Sequence, residues 1–435
     1  MRTGIVIGLG IAALAVAGGT FFVLRGGNLN TAGLRGCSNG LSVVATGDIM
    51  MGTDTAPAAR VADQTRTLLK GGNVTVGSLA MTLLADPEKA EVKGPRGGAQ
   101  HAALLRDWGF SAFARANDYA NAFGRDGLAE TDKILQDNKL VSAGTGTDLA
   151  NSRAAAWVDT SCGKVALISA AITIREMDPN PALPARGGIA GRPGINPLHV
   201  SALTRVDAET YAKVLKSNAD LGGPPPDADG TLHAFGVTIL PGDRNETTTT
   251  VSPTDHAAIL AAITEARKTA ALVVVSIGNY APGDMSYEPL PLTETFAREA
   301  IEAGAGLVIG HGSHSLRAVE FHKGGLIAYG LGDFIIDRRI SAHLGADAVD
   351  PSQPDVEGPA PDGMVLSASF RDGRAVSAKL TGLDLAGDKD LPPGFPRLAT
   401  TFQGLAQIQG LSEARGAKFT LQQGSADIVP AETAQ

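Results

Sequence analysis

Short apolar runs that break into polar residues recur along this chain. LSVVATGDIMMG (Leu41–Gly52), NVTVGSLAM (Asn73–Met81), KVALISAA (Lys164–Ala171), ALVVVSI (Ala271–Ile277) and GLVIG (Gly306–Gly310) are largely apolar at odd and even positions alike. That is the pattern of strands buried on both faces rather than of strands with one wet face. Helical stretches lie between them. GFSAFARANDYA precedes a helix near Gly127–Asn138. Ser252-Pro253-Thr254-Asp255 starts another, with a capping hydroxyl, proline at the first helical position and an acid in the first turn. Ile259, Leu260 and Ile263 then share one helical face. A further helix is expected from Thr293 to Ala303, ended by Gly304. This order predicts an α/β fold, a parallel or mixed sheet covered by helices. Two stretches rich in Pro, Gly and Asp, Leu221–Gly230 and Asp347–Gly363, read as exposed excursions.

The start of the chain follows another pattern. From Gly4 to Leu24 there are 21 residues without a charge, flanked by Arg2 and Arg25. About 20 apolar residues span a bilayer core, so residues 1–25 read as a signal peptide or an uncleaved signal anchor. Ala15-Val16-Ala17 resembles a cleavage site, but the apolar run continues through Phe21, Phe22 and Val23, which favours the anchor. The sequence holds no second such run. The expected arrangement is one N-terminal span in the cell membrane with the bulk outside the cytoplasm, or a secreted protein if the segment is cleaved. Residues 26–40, rich in Gly and Asn, read as a linker. The two cysteines suit export, and Cys37 and Cys162 either form one disulfide or stay as two thiols.

Composition narrows the partners. The net charge of −8 argues against nucleic acid, which normally requires a basic stripe. With 435 residues the chain can bury a large core.

Chemistry-bearing residues gather where the strands end. Asp48 follows the first strand, Asn117-Asp118 precede a helix, and His311 and His314 follow a late strand in VIGHGSHSL. The carboxyl ends of strands in α/β sheets are where ligand sites form, and mixed carboxylate and imidazole donors suit a transition metal. Histidine is scarce, eight in the chain. His101, His199, His233, His256, His322 and His343 read as surface or capping residues. Asp243 and Glu246 in GDRNETTTT either reach the cleft or sit in a solvated turn. Arg317 either meets an anionic substrate or pairs with an acid.

Taken in order, ATGDIMMG, GSLAMTL, ANDYANAFGRDGLAETDKIL, AGTGTDLANSR, GRPGINPL, VVVSIGNY and EAGAGLVIGHGSHSLRAVEFHKGGLIAYGLGDFIID resemble the CapA-type poly-γ-glutamate capsule synthesis proteins. The resemblance spans Leu41 to Asp337, with a weaker tail. It implies a metallophosphoesterase-like fold, a mixed β-sheet sandwich flanked by helices (αββα). Residues 41–345 would form this domain and residues 346–435 an extension completing it. It also implies a role in capsule or exopolymer biosynthesis, with an envelope polymer or capsule synthesis proteins as partners.

The resemblance is incomplete where catalysis would sit. Members with a full site resemble G-D-I, N-L-E, N-N-H, a histidine after V-V-S, and G-H-x-x-H. Here Ala80 stands in place of the glutamate, Asp118 of an asparagine, Tyr119 of a histidine, Gly278 and Tyr280 of two further histidines, and Asp333 of an asparagine. Asp48, Asp118, His311 and His314 remain as metal ligands, with Asp118, Tyr119 and His314 as candidate catalytic residues. A two-metal centre about 3.5–4 Å across needs a bridging carboxylate and more ligands than these four. The resemblance therefore implies at most one divalent ion, Zn2+ or Mn2+, or none. Three functions follow: a capsule or exopolymer biosynthesis protein with a one-metal site, an inactive relative that binds an envelope polymer or scaffolds a synthesis complex, or an exported metal-dependent phosphoesterase.

Overall fold

The computed structural model describes residue 37 and residues 40–90, 94–174, 181–234, 237–279, 287–337 and 363–431. The N-terminal apolar run, His343, Tyr280 and nearly all of the Asp347–Gly363 stretch lie outside the described residues. Gly40–Gln435 forms one compact unit. No helix among the described residues is long and apolar enough to cross a membrane.

Two ten-stranded sheets dominate the described residues. In the first, Leu41–Met50, Val74–Leu79, Ala112–Ala114 and Val141–Ala143 run parallel. The antiparallel strands Gly363–Arg371, Arg374–Asp384, Ser425–Pro430 and Ala417–Gln422 extend it on the other side. The C-terminal segment is thus part of the same sheet as the first strand. In the second, Gly163–Ile174, Leu272–Asn279, Leu307–His311 and Gly325–Ala328 run parallel.

The evenly apolar runs have their explanation in this layering. Val43, Ala45, Val74 and Val76 of the first sheet share one core with Val165, Leu167, Leu272, Val274 and Ile309 of the second. Val44, Ile49 and Phe113 point the other way, onto Ala102, Leu105, Ile134 and Leu135 of the helices Ala99–Trp108 and Gly124–Asp137. Val273, Val275 and Val308 do the same with Ile259, Ile263, Phe296 and Ala300 of Pro253–Arg267 and Pro291–Glu302. Successive side chains of a strand alternate between faces, so a strand between two apolar layers must be apolar throughout. The result is helix, sheet, sheet, helix, as expected.

Element limits follow local chemistry. Ser252 Oγ accepts the Asp255 N–H and Pro253 opens the helix. Gly304, at φ +118, ends Pro291–Glu302 in a conformation that favours glycine. Both cysteines are disulfide-bonded, and no free thiol remains among the described residues. Leu221 and Gly222 are exposed, as the excursion predicted.

Candidate functional site

Asp48 lies near the end of the Leu41–Met50 strand and pairs in parallel register with Asp333, the first residue of Asp333–Ile336. The approach is close. A Cβ on Gly47 would stand 1.9 Å from the Gly332 carbonyl oxygen, so only glycine allows the two strands to bring these acids side by side. The histidines come from the second sheet. His311 ends the strand Leu307–His311, and the chain then turns through Gly312 at φ +88 and His314 at φ +50.

Two hydrogen bonds tie that turn to the acids. The Gly312 N–H donates to Asp48 Oδ2 at 3.0 Å, and His314 Nδ1 donates to Asp333 Oδ1 at 2.7 Å. Asp48, His314 and Asp333 each offer a ligand atom, all within 4.8 Å of one another. One oxygen of each acid is thereby used. The others, Asp48 Oδ1 and Asp333 Oδ2, are buried with no hydrogen-bond partner. Both ring nitrogens of buried His311 also lack one, and its Nδ1 lies 4.0 Å from Asp48 Oδ1. Buried polar atoms are nearly always paired, so a cluster of unpaired oxygens and nitrogens at the strand ends of the two sheets is built for something else. A divalent cation fits it: it would satisfy the carboxylate oxygens and accept imidazole nitrogen.

The charges sort the two histidines. The Asp333 carboxylate outweighs burial and raises His314 to about 9, with smaller contributions from Asp48 and Asp118. Burial pushes His311 below the usual imidazole range, partly offset by Asp48, so His311 is neutral at pH 7. A neutral ring is the form that binds metal. Raised to about 9, His314 is an imidazolium at pH 7 without metal; with Nδ1 bonded to Asp333, it would bind an ion through Nε2 once that nitrogen has given up its proton.

The remaining candidates fall around this group. Asp118 is exposed, outside the three-residue group, though its charge acts on His314. Tyr119 is half-buried; its N–H donates to Asn117 Oδ1 and its carbonyl accepts from Thr82 Oγ1. Asn117 holds the turn by donating to the Leu79 carbonyl at 2.8 Å. Ala80 and Gly278 provide no ligand atoms; Gly278 lies beside His311 in strand register. Asp243 and Glu246 are exposed, with Glu246 paired to Arg244. Arg317 is buried and donates to the Glu288 carbonyl and Ser313 Oγ, so its guanidinium turns inward.

Two residues sharpen the expectation. His101 is a capping residue but not a surface one. It is fully buried, accepting the Gly98 N–H at Nδ1 and bonding the Gly52 carbonyl at Nε2. Asp333 joins the site, although the sequence marked it only as a replaced asparagine. Its signal was an acid after Leu331-Gly332 in an otherwise apolar strand, but its partnership with Asp48 depends on strand register.

Comparison with known proteins places the chain in a family. Residues 42–338 match the family model described as "Bacterial capsule synthesis protein PGA_cap". Two proteins of Sinorhizobium fredii (strain NBRC 101917 / NGR234), named "Uncharacterized protein y4sH" and "Uncharacterized protein y4uA", are each 27% identical over 427 residues. Those alignments cover 88% of this chain and 92% of each relative. The "PGA biosynthesis protein CapA" of Bacillus subtilis (strain 168) is 31% identical over 111 residues, 25% of this chain and 29% of that protein. The chain belongs to the bacterial capsule synthesis protein family.

Proposed function

We propose that this member of the bacterial capsule synthesis protein family works in building a capsule or related exopolymer of the poly-γ-glutamate kind. In this reading it is held at the cell membrane by its N-terminal segment, with the folded unit outside the cytoplasm and a single divalent ion, Zn2+ or Mn2+, in the cleft. The disulfide-bonded cysteines support an exported location.

The observation that carries the metal reading is the pair of buried, unpartnered oxygens, Asp48 Oδ1 and Asp333 Oδ2, grouped with His314. Asp48, His314 and Asp333 would hold the ion, and His311 has its ring nitrogens unused beside Asp48. Asp333 fixes the His314 tautomer, and Gly312 orients Asp48 through Oδ2. Such an ion would supply Lewis-acid polarisation of a carbonyl or phosphoryl oxygen, or a water acidified towards neutral pH. Hydrolase or transferase chemistry on a polymer bond is the activity this supports. The absence of side-chain ligands at Ala80 and Gly278 counts against a two-metal phosphoesterase.

Metal analysis of the purified full chain, together with turnover assays on γ-linked polyglutamate and simple phosphoesters, tests this. About one ion per chain with cleavage or transfer of the polymer is expected. A chain that holds no divalent ion when supplied with Zn2+ or Mn2+, yet retains polymer binding, would replace it with the scaffold reading.

A further inference from the structure

We propose that Arg317 is a positioning residue for His314, locking the Gly312–His314 turn in its ligand-presenting shape, and that the C-terminal part of the chain backs it through Glu288. This rests on the metal-centre reading above and adds to it the residue that shapes the centre from behind.

Arg317 is 1% exposed, a buried cation. Its Nε donates to Ser313 Oγ at 3.3 Å and its Nη1 to the Glu288 carbonyl at 2.6 Å. Ser313 sits between the two residues that bear positive φ, Gly312 and His314. A histidine holds a left-handed conformation only where its surroundings impose it. The bond to Ser313 acts at the residue next to His314. Around it the packing is tight. The Arg317 N–H donates to the Gly330 carbonyl, and a Cβ on Gly330 would come within 2.6 Å of the Ser315 carbonyl oxygen and 3.1 Å of Arg317 Cγ. The segment that receives Arg317 is anchored in turn. The Ala318 N–H donates to the Tyr287 carbonyl, and Glu288 Oε2 pairs with Arg415 at 2.7 Å. Arg415 follows the helix Gly404–Glu413 and also pairs with Glu294 at 3.1 Å. A chain of contacts therefore runs from Arg415 through Glu288 and Arg317 to Ser313, next to His314.

An arginine is required because its fork spans two acceptors at fixed angles, where a lysine ammonium is a single point donor. Burying a cation is costly, and a residue that only filled space would be apolar.

The test compares full-length wild type with Arg317→Met, Arg317→Lys and Ser313→Ala. In chelator, proton NMR follows the His314 imidazole N–H bonded to Asp333; equilibrium dialysis then gives the affinity for Zn2+, and thermal melting the stability. Arg317→Met is expected to lose the protected N–H signal and to bind Zn2+ about 10–100-fold more weakly while keeping native circular dichroism, with Arg317→Lys intermediate. A lower melting temperature with the N–H signal and Zn2+ affinity unchanged would overturn the proposal and leave Arg317 a packing residue. If Arg317→Met does not fold, Ser313→Ala decides: weaker Zn2+ binding supports the linkage and wild-type binding overturns it. If the wild type takes up no ion, the metal reading fails, and persistence or loss of the N–H signal in the variants decides this proposal by itself.

Discussion

His314 Nδ1 lies 2.7 Å from Asp333 Oδ1, joining a turn that leaves the second sheet to a strand of the first. Asp333 therefore has two tasks, fixing the imidazole with one oxygen and holding the other, buried and unpartnered, beside Asp48.

Asp333→Asn should weaken Zn2+ or Mn2+ binding by at least about 100-fold, above the usual loss for an outer hydrogen-bond partner, because it removes charge and histidine orientation together. Asp118→Ala should weaken it far less, since Asp118 lies outside the three-residue group. Equilibrium dialysis on both variants checks the order. Equal losses would return Asp118 to the ligand set.

In chelator, the His314–Asp333 pair should stabilise the protein most in acid. The folded pKa of His314 is raised to about 9, above the ordinary value of 6.5. Its contribution is complete below the unfolded pKa and is lost as pH rises through the folded one. His314→Ala should therefore cost more stability at pH 6 than at pH 10, measured by denaturant melts. A cost that does not change with pH would mean that the pair is not charged.

Asp255 behaves in the opposite sense. It accepts from His199 Nδ1 at 2.6 Å, pairs with Arg153 and is held at about 2, below the ordinary 3.8, by hydrogen bonding and charge that outweigh its burial. Its stabilisation is present above the unfolded pKa and disappears as pH falls through about 2. Asp255→Asn should cost about 2 kcal/mol at pH 7 and much less near pH 2. Urea titrations at the two pH values would show it.

Unreduced protein in denaturant should show no reactive thiol, and two after reduction, because both cysteines are bonded. On the chain-entropy account, Cys162→Ser should lower stability by about 3–5 kcal/mol. Two reactive thiols before reduction would remove the support for export.

The sequence by itself determined that the strands are buried on both faces and covered by helices; the second sheet entered only as what the family resemblance implied. Runs such as Leu272–Val275 are apolar at every position because helices cover one face and the other sheet covers the opposite one, and that pattern is local. Helix starts were equally legible, because Ser252 and Pro253 act within one turn. The sequence also placed Asp48, His311 and His314 at strand ends. What it did not determine was which of them meet. Asp333 reaches Asp48 only through a parallel register far apart in sequence, made possible by Gly47 against Gly332. His101 read as a surface or capping residue; it caps its helix at Gly98, and it is buried because its Nε2 also bonds the Gly52 carbonyl. Arg317 is buried and bonds Glu288 and Ser313 for the same kind of reason. Secondary structure follows from neighbours along the chain; the choice of ligand atoms follows from strand register and burial, which exist only once the two sheets have closed on each other.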